Sequence, residues 1–481
     1  MILRSRILAC ASGLLLLSAC SDLGRDVTAG EALGSISGGG STTGTDDADS
    51  PAARPTQSDM NGGVPGTFAV GDEPFAVRAG ALILSQGGSA ADAATAMYFA
   101  LSVTYPVAAG LGGGGICLVH DTASGRTDEF DFLARDSGGG GAYAVPGNIR
   151  GFAALQGAYG VLPWQRDVSP GEGLASTGFP ISRALSARLA TTLDVVRLDA
   201  GLAAEFLDES GNARPVGTVV SNTDLAQTLS AIRLGGPDAF YKGEVGARIL
   251  AYSQAQGGAI GVPEFARYGV TRGNPQLLQL GNQSVYLPSA QTGAGAFSGA
   301  LFGTLIEAQQ TQAGSGDLQA AIVVAVKHAL ARFGVTNLPP DLGSTGFAAR
   351  DSAGQSVSCA VTMNGPFGSG HNATGTGVTL ARAPSSGPAG IAGAFLTPVI
   401  ATQGSSVSLV GVGAGGPNGT AAVGYALARM GQGEALIRRT DLRSTGLAPF
   451  ETVNAITCQS DACVSLSDPS AYGLGAAGDS R

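Results

Sequence analysis

Apolar residues change period along the chain, and each change marks an element. In "QGGSAADAATAMYFALSV" small and apolar residues run at helical spacing, with Ser89 placed as N-cap and Asp92 as its capping-box partner. "GLGGGGICLVHD" follows, a glycine loop feeding a short apolar strand. Residues 145–250 read as mainly helical, broken at "YGVLPW", "GFP" and "GGPDAFYKG", and short strands return between Gly269 and Pro288. Two helices are predicted next, in "QTGAGAFSGALFGTLIEA" and "DLQAAIVVAVKHALARFG". From Thr345 the period drops to two. "GFAARDSAGQSVSCAVTMN" reads as two strands joined at Ser352-Ala353-Gly354, "PVIATQGSSVSLVGV" as further strands, and "NGTAAVGYALARM" as a helix. Strands and helices alternate early and late around a helical middle, which predicts a layered α+β or α/β architecture.

Composition narrows the class. Hydrophobic residues make up 44% of the 481 and charged residues 13%, so a large core is available. The 76 glycines follow no Gly-X-Y period, which excludes collagen and favours tight turns. A net charge of −9, with Lys242 and Lys327 the only lysines, argues against a nucleic-acid partner. The start, "MILRSRILACASGLLLLSAC", has the form of a secretory signal over residues 1–19. Leu17-Ser18-Ala19-Cys20 resembles a bacterial lipoprotein box, implying lipidation of Cys20. Residues 20–65 read as a flexible tether, placing the protein on the cell envelope with the lipid as its sole membrane contact. Cys117 and Cys359 read as separate buried thiols, and Cys458 and Cys463, in "CQSDAC", as a disulfide across a hairpin. His120, His328 and His371 show no ligand spacing, so neither a metal nor a cofactor is expected.

Familiar hydrolase patterns fail. No G-x-S-x-G occurs, since "GAFSG" carries its serine one place late, and neither lysine stands in S-x-x-K. The glycine loop meets G-x-G-x-x-G spacing but leads into a strand, where dinucleotide binding needs a helix. A base from outside the side chains is the remaining solution: a Ser, Thr or Cys freed as an N-terminus, whose own α-amine takes the proton. "LGSTGF" at 342–347 offers two hydroxyls at the start of a strand.

From about Phe68 to the C-terminus the chain resembles the γ-glutamyltranspeptidase (γ-glutamyltransferase) family. The resemblance rests on "QGGSAADAATAMYFALSVTYPVAAGLGGGGICLVHD", "VPGNIRGFAALQGAYGVLPW" with "GFPIS", "GPDAFYKG" and "SDPSAYGLGAAG", in the family's order and spacing. It implies an N-terminal-nucleophile hydrolase with a four-layer αββα sandwich. It also implies self-cleavage into a large region, 66–343, and a small one, 344–481, that stay together as a heterodimer. Gap-free matching through Phe347, Asp351, Gly354, Val357 and Ser358 puts the family's nucleophile on Ser344 and the cut between Gly343 and Ser344. Thr345 falls on the second threonine and Gly346 replaces a His or Ser. Thr362 matches the threonine that supports the nucleophile, Asn364 an asparagine near the donor substrate, and Gly415 and Gly416 the oxyanion glycines. On a strand, a one-residue move turns Thr345 to the opposite face, so this register favours Ser344, and Thr345 is the rival nucleophile that would need a local bulge.

The glutamyl-binding residues differ. Leu133 and Ala134 stand where the family has Arg-Glu, leaving Arg135 as a replacement carboxylate clamp. Ala394-Phe395 stand where a Ser-Ser pair is expected, and Ser385-Ser386 near the family's acidic residue. Three readings follow: hydrolysis or transfer of the acyl group of γ-glutamyl, glutathione-like amides; a related amidase with another acyl specificity; or an uncleaved envelope lipoprotein with a binding role.

Overall fold

A computed structural model describes residues 63–311, 318–442, 451–459 and 462–479. The signal segment 1–19, Cys20 and the tether up to residue 62 lie outside them. The first strand, β1 (Gly63–Gly71), starts inside the stretch read as tether. Among the described residues, two antiparallel sheets lie face to face between two helical layers. In the first, seven strands run in the order β13-β1-β7-β8-β2-β3-β4. These are β1, β2 (Gly114–Asp121), β3 (Arg126–Phe132), β4 (Thr271–Gly273), β7 (Ser344–Arg350), β8 (Ser356–Thr362) and β13 (Leu474–Asp479). The second has six, in the order β12-β11-β10-β9-β6-β5. They are β5 (Gln276–Leu280), β6 (Gln283–Leu287), β9 (Thr397–Gln403), β10 (Ser406–Ala414), β11 (Thr452–Gln459) and β12 (Ala462–Leu466).

Period-two alternation decides which side chains meet. Val70, Leu118 and Ala348 of the first sheet pack against Ile400, Val410 and Ile456 of the second. Ala360 closes on Val412 and Leu396 nearby. The opposite faces of β7 and β8, with Phe347, Ala349, Val357 and Val361, turn to the helices α1 (Pro74–Ser85) and α2 (Ala90–Thr104). Every residue of α2 is buried, which its alanines permit by letting neighbours approach closely. Its start is the expected capping box: the Ser89 N–H donates to Asp92 Oδ2 (2.9 Å) and the Asp92 N–H to Ser89 Oγ (3.2 Å). Behind the second sheet lie α5 (Gly293–Thr311), α6 (Leu318–Arg332) and α7 (Pro417–Gly431). Helices α3 (Asn148–Tyr159) and α4 (Arg183–Leu189) belong to the helical middle of the chain. The glycine run leading into β2 serves packing: a Cβ on Gly114, the strand's first residue, would fall 1.9 Å from the Ala134 nitrogen. The sandwich is the αββα arrangement the resemblance implies.

Cys458 and Cys463 are bonded, as their spacing predicts. Cys117 and Cys359 correct the expectation of separate thiols. They are direct register partners on β2 and β8 and form a disulfide across 242 residues of sequence. Pairing depends on the sheet register, which brings together two apolar strands distant along the chain. Among the described residues no helix is long and apolar enough to cross a membrane.

Candidate active site

Ser344 opens β7 opposite Thr362, the last residue of β8. Both side chains lie on the face between the sheets, because Ala348 and Ala360 at even spacing from them do. Ser344 is 2% exposed, and its Oγ accepts the Gly415 N–H at 2.9 Å, across the gap where β10 gives way to α7. The preceding carbonyl, that of Gly343, accepts two hydrogen bonds. Met363 donates its N–H at 2.8 Å and Thr362 its Oγ–H at 3.0 Å. Hence a hydroxyl sits next to a carbonyl already polarised by two donors, the arrangement an internal acyl shift needs.

The chain bends sharply at that bond. Gly343 has φ +61°, and a Cβ there would lie 1.9 Å from the Gly365 carbonyl oxygen, so only glycine fits. Asn364 also holds a left-handed conformation, φ 55°, which is uncommon outside glycine and concentrates strain beside the bond. Its N–H donates to Thr362 Oγ1 (2.9 Å) and its amide to the Arg382 carbonyl (2.8 Å).

Thr345 faces the other way. Its hydroxyl donates to Asp72 Oδ2 (2.7 Å), a carboxylate that also accepts from Thr452 (3.0 Å) and Asn454 (2.8 Å). Burial pushes the Asp72 carboxyl above its ordinary value, against the pull of these three bonds.

Arg135 is not brought to this group. Its guanidinium lies over the Tyr268 ring, 4.8 Å from the centroid, and donates to the Gly269 carbonyl (3.1 Å). Among the described residues none of its hydrogen bonds reaches Asn364 or Ser344. The stacking partner explains the difference, since an exposed guanidinium gains from a desolvated ring face. Leu133, two residues earlier, packs with Ala360, Leu396 and Val412, making the inter-sheet surface apolar there. Ser385 meets a carboxylate after all: Asp136 accepts from its N–H (2.9 Å) and its hydroxyl (2.8 Å).

Three residues at the site were missed in the sequence. Glu451 caps α7, accepting the Asn418 N–H at 2.8 Å directly behind Gly416, and burial pushes its carboxyl up to about 7. Asp341 accepts the Gly343 N–H at 2.8 Å and pairs with Arg188 of α4. An acid just ahead of the candidate nucleophile was a readable signal for Asp341. Nothing in the sequence singles out Arg188 or Glu451. Among the described residues no group of His, Cys, Asp and Glu is placed to hold a metal ion.

Comparison with known proteins adds a lineage to this geometry. The model of the family described as gamma-glutamyltranspeptidase matches residues 76–332, a stretch that ends before Ser344. The chain is 32% identical over 230 residues to glutathione hydrolase 2 of Arabidopsis thaliana, covering 44% of this chain and 40% of that one. It is also 32% identical over 234 residues to the acylase ACY 1 proenzyme of Pseudomonas sp. (strain SE83), covering 43% of this chain and 42% of that one. The chain thus matches about two fifths of the length of these curated relatives. Among solved structures, cephalosporin acylase from Bacillus halodurans superposes with a TM-score of 0.69 at 17% identity, over 90% of this chain and 99% of that one. At that identity the likeness shows the shared fold.

Proposed function

The chain belongs to the gamma-glutamyltranspeptidase family, and from that premise we propose an N-terminal-nucleophile hydrolase that cuts itself before Ser344 and then hydrolyses or transfers the acyl group of γ-glutamyl amides. The observation that carries this reading is the Ser344 hydroxyl on the Gly415 N–H, beside a Gly343 carbonyl held by Thr362 and Met363. In the first step Ser344 Oγ bonds to the Gly343 carbonyl carbon, the C–N bond breaks, and the hydroxyl proton goes to the departing nitrogen. Water then hydrolyses the ester, leaving a Gly343 carboxylate and a free Ser344 hydroxyl and amine. That amine is the base in this reading. The same hydroxyl attacks the substrate amide, and the Gly415 and Gly416 N–H groups receive the oxyanion. In the uncut chain Ser344 is buried, so substrate access depends on the new end at Gly343 moving aside.

A second reading has its own support. Leu133, at the position matched to the family's clamping arginine, packs with Ala360, Leu396 and Val412, Phe395, matched to one of its serines, is buried against Phe297, and Arg135 is engaged elsewhere. An unpaired carboxylate on such a surface is costly, whereas an apolar acyl group is not. Release from a γ-glutamyl anilide compared with a neutral acyl anilide separates the two. A higher kcat/KM for the γ-glutamyl compound supports the first reading, and the reverse order the second.

The gel that tests cleavage depends on reductant. Cys117 lies in the large region and Cys359 in the small one, so their disulfide ties the two products together. The matured protein is expected to run as one species without reductant and as two with it. Cys359→Ala is expected to give two bands in either condition. Two bands from the wild type without reductant would contradict the tether, and one full-length band with reductant would contradict self-cleavage. A catalytically silent envelope lipoprotein would give that last result. Anchoring through Cys20 at the cell envelope completes the proposal, and labelling with a radioactive fatty acid, lost in Cys20→Ala, tests it.

A further inference from the structure

We propose that the buried Arg188–Asp341 ion pair is a positioning clamp that holds the Gly343–Ser344 peptide in its cleavage geometry; the inference rests on the self-cleavage reading above. Arg188 is 2% exposed and reaches the site from α4, whose start is capped by Ser182. Its Nε donates to Asp341 Oδ2 at 2.9 Å and its Nη2 to Oδ1, a two-pronged contact. Its remaining prong, Nη1, donates to the Ser344 carbonyl at 3.1 Å. Asp341 Oδ1 in turn accepts the Gly343 N–H at 2.8 Å.

The scissile bond therefore lies between two fixed points. Upstream, the carboxylate holds the Gly343 N–H. Downstream, the guanidinium holds the Ser344 carbonyl. Between them the Gly343 φ of +61° turns its carbonyl onto Met363 and Thr362. None of these hydrogen bonds involves the attacking oxygen or the carbonyl carbon. Their contribution is alignment, and misplacement by about 1 Å can cost on the order of 10²-fold in rate. The Tyr105 ring, 5.3 Å from the Arg188 guanidinium carbon, covers the ion pair from water. Stability alone gives little reason to keep such a pair, because apolar residues of similar volume often replace one without loss. Its location on either side of one peptide bond is what a clamp requires.

That property of buried ion pairs supplies the test. The double variant Arg188→Met/Asp341→Leu removes both charges and leaves none unpaired. The full-length protein is followed on reducing denaturing gels, with thermal melting as the check on folding. We expect a Tm close to wild type and conversion to two fragments slowed about 10²-fold. Arg188→Lys keeps a charge opposite Asp341 but lacks the fork that also reaches Ser344, and it is expected to recover part of the lost rate. Wild-type conversion rates in either folded variant would overturn the clamp. A wild-type chain that stays whole would overturn the cleavage reading, and the clamp with it.

Discussion

Ser344→Ala is expected to remain one full-length chain on a reducing gel and to lose amide hydrolysis by roughly 10⁴-fold or more, as removal of a sole nucleophile does. Two losses combine. Without the hydroxyl, no ester forms with Gly343, so the α-amine base is never released. Even a chain cut by other means would carry no nucleophile. The substitution removes a single oxygen, which among the described residues accepts one hydrogen bond, from the Gly415 N–H, so folding should change little. Leaving that N–H without an acceptor costs about 1–3 kcal/mol at most. Thr345→Ala is the control: it severs one of the bonds to Asp72 on the opposite face and leaves the Ser344 hydroxyl in place. Full cleavage in Ser344→Ala, or its complete absence in a folded Thr345→Ala, would reverse the assignment of the two hydroxyls.

Thr362→Val is expected to slow self-cleavage by about 10²–10³-fold, the usual effect of losing one donor to a developing oxyanion. Valine keeps the shape of threonine and its preference for strands, so β8 and its pairing with Ser344 persist. What goes is the 3.0 Å bond to the Gly343 oxygen. The Met363 N–H at 2.8 Å stays, which is why the reaction should slow and not stop. The measurement is the fraction of chain converted against time after purification of the uncut protein. Since Thr362 Oγ1 also accepts the Asn364 N–H, the strained Asn364 should loosen as well, and substrate binding after maturation weaken with it.

Local signals were legible wherever they were strong. Ser89 and Asp92 announced α2, and the period-two run from Thr345 announced β7 and β8. Register then did the harder work. Once Phe347 faces the helices, Ser344 must face the other sheet and Thr345 must not, because strand side chains alternate. The family resemblance placed the nucleophile on Ser344, and the structure supplied the facing. What the sequence withheld was contact between distant segments. Cys117 and Cys359 become partners only when β2 and β8 pair in one register. Arg188 meets Asp341 because α4, from the middle of the chain, brings its guanidinium to the start of β7. Arg135 is no replacement clamp, because it lies beyond the end of β3 and its guanidinium sits over the Tyr268 ring. Glu451 lies behind Gly416, one residue before β11 begins, a placement no local pattern reveals.

If the chain cuts itself as proposed, Ser344 becomes an N-terminus. N-terminal sequencing of the smaller fragment from reduced wild-type protein tests it directly. The expected result is serine followed by Thr-Gly-Phe, the sequence from Ser344 to Phe347. A fragment beginning at Thr345, or a wild-type chain that stays intact under reduction, would contradict it.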